Sequence, residues 1–455
     1  MTTILVIGAG FSGASLAANL AECNSGRARI LLLDASGRFG RGVAYGTSYA
    51  EHLLNVPAGN MSALPDDPDH FVRWARERLA GVTGGSFLPR KLYGEYLGQH
   101  VEQAAGTPGA NLDLIHALAI AAQPRPDGGF SVELQGGGRI EADRLVLATG
   151  NPPPAELPLQ DRGALASERF IADPWAEGAL ERLTNAGDVL LIGTGLTMLD
   201  VALVVARKAR GRLMALSRHG LLPQPHRTSA RPPSPHPFDP PLERWPHTAH
   251  GILHALRAEV RRAKEKGINW RDVVASLRPV TPQLWQSLNH EEQSRFLRHL
   301  RCYWDSHRHR AAPPTALGID ALLDSQRLSV LAGRIVDMQD AGSVMRVTVR
   351  RRHATETASL SFSTVVNCTG PTTDIRRLND PLLRSLLRES VIQPDALGLG
   401  ILTDSLGGAL NATGSASDRV FIAGPARRAQ LWEHTAVPEL RVASRDLAVH
   451  LLNCL

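Results

Sequence analysis

Only four cysteines occur in the 455 residues, Cys23, Cys302, Cys368 and Cys454, and no two form a Cys-x-x-Cys. That spacing excludes a disulfide scaffold, a zinc ribbon and a redox-active dithiol, and it suits a reducing cytoplasm. Lysine is almost missing as well. Of 50 basic residues only Lys91, Lys208, Lys264 and Lys266 are lysines; the rest are arginines, and the formal net charge is +6. The arginine runs, such as Arg350-Arg351-Arg352, are short, and no finger, ribonucleoprotein motif or basic arm accompanies them. Nucleic acid is therefore not an expected partner. No unbroken apolar run of membrane-spanning length exists, and the apolar N-terminus has no basic residue before Arg27, so neither a membrane span nor a signal peptide is expected. With 43% hydrophobic residues, the chain is long enough for two or three domains with real cores.

What is present is a pair of similar units. Thr3–Ile7 reads as a buried parallel strand, Gly8-Ala9-Gly10-Phe11-Ser12-Gly13 as a turn, and Ala14–Glu22 as a helix. A second strand, Arg29–Leu33, ends on Asp34, 21 residues after Gly13. In such a unit the first glycine permits the turn, the second lets backbone approach a pyrophosphate, and the third allows helix–strand packing. The helix start offers N–H groups to phosphate, and the acid accepts from a ribose diol. This unit suits FAD, and Phe11 and Ser12 would join its phosphate contacts.

The echo begins 185 residues later: a strand to Ile192, then Gly193-Thr194-Gly195-Leu196-Thr197-Met198, a helix from Leu199 and a strand ending at Ser217-Arg218-His219. Met198 replaces the third glycine. No acid closes the strand, and Arg218 with Ser217 suits a 2′-phosphate, so NADPH is expected here, with NADH the alternative. Two further strands end in Thr149-Gly150 and Thr369-Gly370. The expected fold class is therefore α/β, with two Rossmann-like dinucleotide-binding domains and a helical cover segment. An FAD domain of residues 1–160 and 328–455 is split by an NADPH domain of 161–327. That insert carries a Pro/His-rich loop, Leu222–His250, and a helical cover over the rest of 222–327.

Several stretches together resemble bacterial FAD/NAD(P)-binding proteins related to flavin-dependent and N-hydroxylating monooxygenases. They are Gly40-Arg41-Gly42 through Thr47, His52 through Ser62, Phe87 through Leu97, Gly193 through Asp200, and Cys368-Thr369-Gly370. One member type of that family is a flavin-dependent urate hydroxylase. The resemblance implies that Asn55, Val56, Asn60 and Met61 lie near the flavin ring, that Arg41 joins the cofactor contacts, and that Gly424 through His434 covers the ring's far end. Pro425 stands where an acid is usual.

Asn55, Asn60 and His434 are the candidate catalytic residues, by hydrogen bonding at flavin or substrate. Asn55 and Asn60 could equally cap turns in a Pro/Gly loop. His299, His307 and His309 lack a completing cysteine or acid at ligand spacing, so no metal is expected. The function that follows is hydroxylation of a small, anionic substrate, urate being the most specific candidate. NADPH and dioxygen would be consumed through a flavin hydroperoxide. An NADPH-dependent flavin reductase or electron-transfer protein, and a non-catalytic redox sensor, are the alternatives.

Overall fold

In the computed structural model the described residues are 1–159, 162–227 and 236–455. The chain divides into two units, Met1–Pro152 with Thr372–Leu455, and Pro153–Pro371. Residues 228–235 of the expected Pro/His loop, and the expected boundary at 160/161, lie outside the described residues.

The first unit is built on a six-stranded sheet with Thr2–Ile7 inside it. That strand pairs in parallel with Ala28–Asp34 on one side and Arg144–Leu147 on the other. Leu112–His116 extends the sheet beyond Ala28–Asp34, while Ala416–Ile422 and Gly408–Leu410 complete the opposite edge. The unbroken apolar run of the first strand is explained by two covered faces. Ile4 and Val6 pack under the opening helix and the last helix, with Leu16, Leu20 and Leu447. Leu5 and Ile7 face a three-stranded antiparallel sheet and the helix Pro381–Arg388, with Val132 and Leu382. Each such fully buried aliphatic side chain contributes about 2 kcal/mol.

The second unit repeats the plan. Val189–Ile192 lies between Leu213–Ser217 and Thr364–Asn367, all parallel. Phe170–Ile171 ends one side, and Leu328–Asp340, Met345–Arg351 and Thr357–Phe362 extend the other. Helices between Ala249 and Asp324 make up the expected helical segment. Among the described residues no helix is long and apolar enough to cross a membrane.

Two expectations need correction. Residues 328–371 do not return to the first unit. Leu328–Asp340 pairs with Leu213–Ser217, and Thr364–Asn367 pairs with Val189–Ile192, so their backbone hydrogen bonds belong to the second sheet. Both nucleotide-turn helices also start earlier than read, at Phe11 and Leu196, because Gly10 and Gly195 are their N-caps.

Candidate functional site

Gly8, with φ of +99°, sits at the end of the first strand; a Cβ there would lie 2.4 Å from the Ala148 carbonyl oxygen. A Cβ on Gly13 would fall 1.8 Å from the Gly8 oxygen. These two glycines are demanded by the fold itself. Gly10 is different: its missing Cβ meets only the Gly42 Cα, at 3.7 Å. The second unit repeats this contrast. A Cβ on Gly193 would lie 2.4 Å from the Cys368 oxygen, whereas Gly195 faces open space. Neither helix that follows has a side-chain N-cap. The first-turn N–H groups of Phe11, Ser12 and Gly13, and of Leu196, Thr197 and Met198, therefore point at a cradle suited to an anion.

In the first unit other segments close on this turn. Asp34 is half-buried at the strand end; its carboxylate accepts from the Ala9 N–H at 2.9 Å and from the Ser36 N–H and hydroxyl at 2.8 and 2.6 Å. Arg41-Gly42 passes over Gly10, Thr149-Gly150 follows the strand beside Gly8, and Gly424, with φ of +85°, presses against the Ser12 hydroxyl. A Cβ on Gly94 would lie 2.4 Å from the Tyr45 oxygen, so the helix Arg90–Ala105 packs directly under the Arg41 segment. The donors, the acid and the bare cradle fit the phosphates and ribose of FAD.

The neighbouring candidates divide. Phe11 and Met61 have side chains buried in one cluster with Leu54, Phe71, Tyr93 and Tyr96. Val56 packs at the edge of that cluster. Asn55 is half-buried, and Asn60 is exposed at the end of a short turn, Ala58–Asn60. His434 is buried just before the last helix, Val437–Asn453, and its Nε2 makes no hydrogen bond. Burial, and then the nearby Arg427, push its imidazole down to about 4, so it is neutral at physiological pH. Arg427 is itself buried and donates to the Asp404 and Ser405 carbonyls.

In the second unit the strand end carries a chain of hydroxyls. Thr194 donates to the Leu221 carbonyl at 2.6 Å, Ser217 donates to Thr194 at 2.8 Å, and the Gly220 N–H donates to Ser217 at 3.0 Å. Ser217 is therefore corrected from phosphate donor to turn brace, because its one hydrogen is already used. Arg218 is exposed beside it. His219 is surrounded by positive charge: burial first, then Arg352, Arg218 and Arg334, hold its imidazole below the usual range. Sequence reading missed Arg334 and Arg352. Antiparallel pairing of Gly333 with Arg351 and of Arg334 with Arg350 brings them to this strand end. Gly370, with φ of +81°, faces open space after the Thr364–Asn367 strand.

Residues 5–152 match the protein-family model described as FAD-NAD(P)-binding. Comparison with curated proteins gives no match. Several solved structures share the fold over the whole chain. L-lysine 6-monooxygenase from Pseudomonas syringae aligns with a TM-score of 0.67 and 16% identity, covering 100% of both chains. Ornithine N-hydroxylase from Kutzneria sp. 744, solved with reduced FAD, NADP+ and L-ornithine, aligns with a TM-score of 0.62 and 13% identity, covering 98% of each chain. Thioredoxin reductase from Lactococcus lactis aligns more distantly, with a TM-score of 0.53, 10% identity and coverage of 100% and 99%. Residues 5–152 are thus similar to an FAD-NAD(P)-binding family, and the whole chain shares the two-Rossmann α/β fold of these solved structures.

Proposed function

We propose that the protein is an FAD-dependent, NADPH-using oxidoreductase that hydroxylates a small, anionic substrate with dioxygen. The observation that carries this reading is the pair of turns, at Gly8–Gly13 and Gly193–Met198. Each has an uncapped helix start and a middle glycine free of backbone crowding, which is what two separate dinucleotides require. The first is assigned to FAD through Asp34, and the second to NADPH through Arg218, Arg334 and Arg352. When bound, these groups supply hydride transfer and oxygen chemistry. The chain's own residues bind phosphates and ribose and keep His434 neutral.

The cysteines speak against the thiol-reductase activity named for the Lactococcus lactis structure. All four are free, and Cys368 is buried with its thiol pushed well up by desolvation. The substrates named for the hydroxylases compared above are amines. Urate therefore enters only as a candidate from the sequence resemblance.

The test is to purify the full chain, confirm bound flavin by its visible absorption, and screen small anions, urate first, for faster NADPH oxidation with an oxygenated product. Reoxidation by an external carrier, with no oxygenated product, would replace this reading with a reductase. If NADPH fails to bleach the flavin, only a sensor or scaffold role is left.

A further inference from the structure

The helical segment of the second unit holds an excess of positive charge around one indole. Trp270 opens the helix Trp270–Ser276, which is capped by the Asn269 side chain. Over its ring lie the guanidinium carbons of Arg271 at 4.4 Å and Arg310 at 5.9 Å, and the His307 ring is 5.1 Å away, edge-on. Arg271 donates through Nε to the Pro225 carbonyl at 2.9 Å. The backbone of this corner is fixed. Ala311 N–H donates to Gln224 at 3.0 Å, and His226 N–H donates to Ala311 at 2.9 Å. Arg310 is only 8% exposed, and its Nε is buried without a hydrogen-bond partner.

Two acids of the same segment are already committed. Buried Asp272 pairs with Arg227. Asp305 pairs with Arg301 and His309, at 3.4 and 3.6 Å. Residues 221–235 contain no acid at all. Desolvation, and then Arg308, Arg271 and Arg227, push the Arg310 guanidinium down to about 10. A buried guanidinium among like charges is unfavourable unless an anion completes it, and the planar fork of arginine matches oxyanions two bonds at a time.

We infer that Arg310 and Arg271, backed by Arg227 and Trp270, form an oxyanion site that takes the carboxylate or phosphate group of a small ligand. The site lies wholly in the second unit, apart from both glycine turns, so it stands or falls apart from the flavin reading.

The experiment is isothermal titration of the full chain, as purified with its cofactors, at low ionic strength. Inorganic phosphate and succinate are the probes, with chloride at matched ionic strength as the blank. Saturable binding of succinate alone identifies a carboxylate ligand; of phosphate alone, a phosphate ligand; of both, a general oxyanion site. Arg310→Met and Arg271→Met should each weaken binding about 10- to 100-fold, the worth of a charge-assisted bond. Without ligand, Arg310→Met should melt no lower than the parent, since it removes an uncompensated charge. If Arg310→Met does not fold, the half-exposed Arg271→Met decides. Heats no larger than the chloride blank, binding undiminished in Arg271→Met, or phosphate binding abolished by Arg218→Ala instead would each overturn the site.

Discussion

Ser217 donates its hydroxyl hydrogen to Thr194 at 2.8 Å, and this contact takes the place that Asp34 and Ala9 fill in the other unit. Both ties fasten the end of the second strand of a unit to its glycine turn. The first leaves a carboxylate at the ribose position; the second leaves no charge there. Arginines can then set the cofactor preference without an acid to oppose them.

Ser217→Ala should therefore cost stability, about 1 kcal/mol for the lost hydroxyl bridge, and leave the NADPH-to-NADH preference unchanged. Arg218→Ala should do the reverse. It should lower kcat/KM for NADPH about 10- to 100-fold with little change for NADH. Arg334→Ala should act in the same direction. Steady-state kinetics with both nucleotides and a thermal melt separate the roles; equal losses for NADPH and NADH in Arg218→Ala would end the 2′-phosphate assignment.

Gly193→Ala and Gly195→Ala should part company. The Gly193 methyl meets the Cys368 carbonyl at 2.4 Å, so that variant should fail to fold or melt far lower. The Gly195 methyl meets no protein atom within 4 Å, so the variant should fold normally and lose affinity for the nucleotide. Melting temperature against NADPH titration reads the difference.

Met198 occupies the position matching Gly13 and is fully buried. Met198→Ala should cost about 2–5 kcal/mol, as a core truncation does. Gly13→Ala should be worse tolerated still, because its methyl would overlap the Gly8 carbonyl. Chemical unfolding of the two variants tests this.

Acid should weaken the first unit. His434 and His100 are both pushed down to about 4, His434 by burial and then Arg427, His100 by burial and then His70. Their folded values lie below the ordinary histidine value of 6.5, so the unfolded chain binds more protons between pH 6.5 and 4. Stability is complete above that window and falls as pH drops through it, by on the order of 3 kcal/mol for each histidine. His434→Gln should flatten the decline of the melting temperature over that range; an unchanged slope would exclude His434 as a contributor.

Much of this architecture is legible from local pattern. The turns, their flanking strands and the split of the first domain follow from glycine spacing and apolar runs, both short-range signals. Long-range pairing is what stays hidden. Nothing near Leu328 says that its strand will join Leu213–Ser217 rather than the first sheet. Arg334 and Arg352 likewise reach the Arg218 corner only through strand register. The bond of Ser217 stays hidden as well because its hydroxyl partner, Thr194, lies inside the glycine motif, where spacing conveys backbone shape and not side-chain bonding.

The divided first unit also sets an order of assembly. The helix Phe11–Cys23 is covered by Val437–Asn453, with Ser444 bonded to the Ser12 carbonyl, and Arg144–Leu147 waits for Ala416–Ile422 as its neighbour. A ribosome releases these partners only after residues 153–371 have emerged with their own sheet complete. The nascent N-terminal segment must therefore be shielded, or stay open, until residues 416–453 have emerged, and a chain truncated before residue 416 would present its apolar sheet edge to solvent.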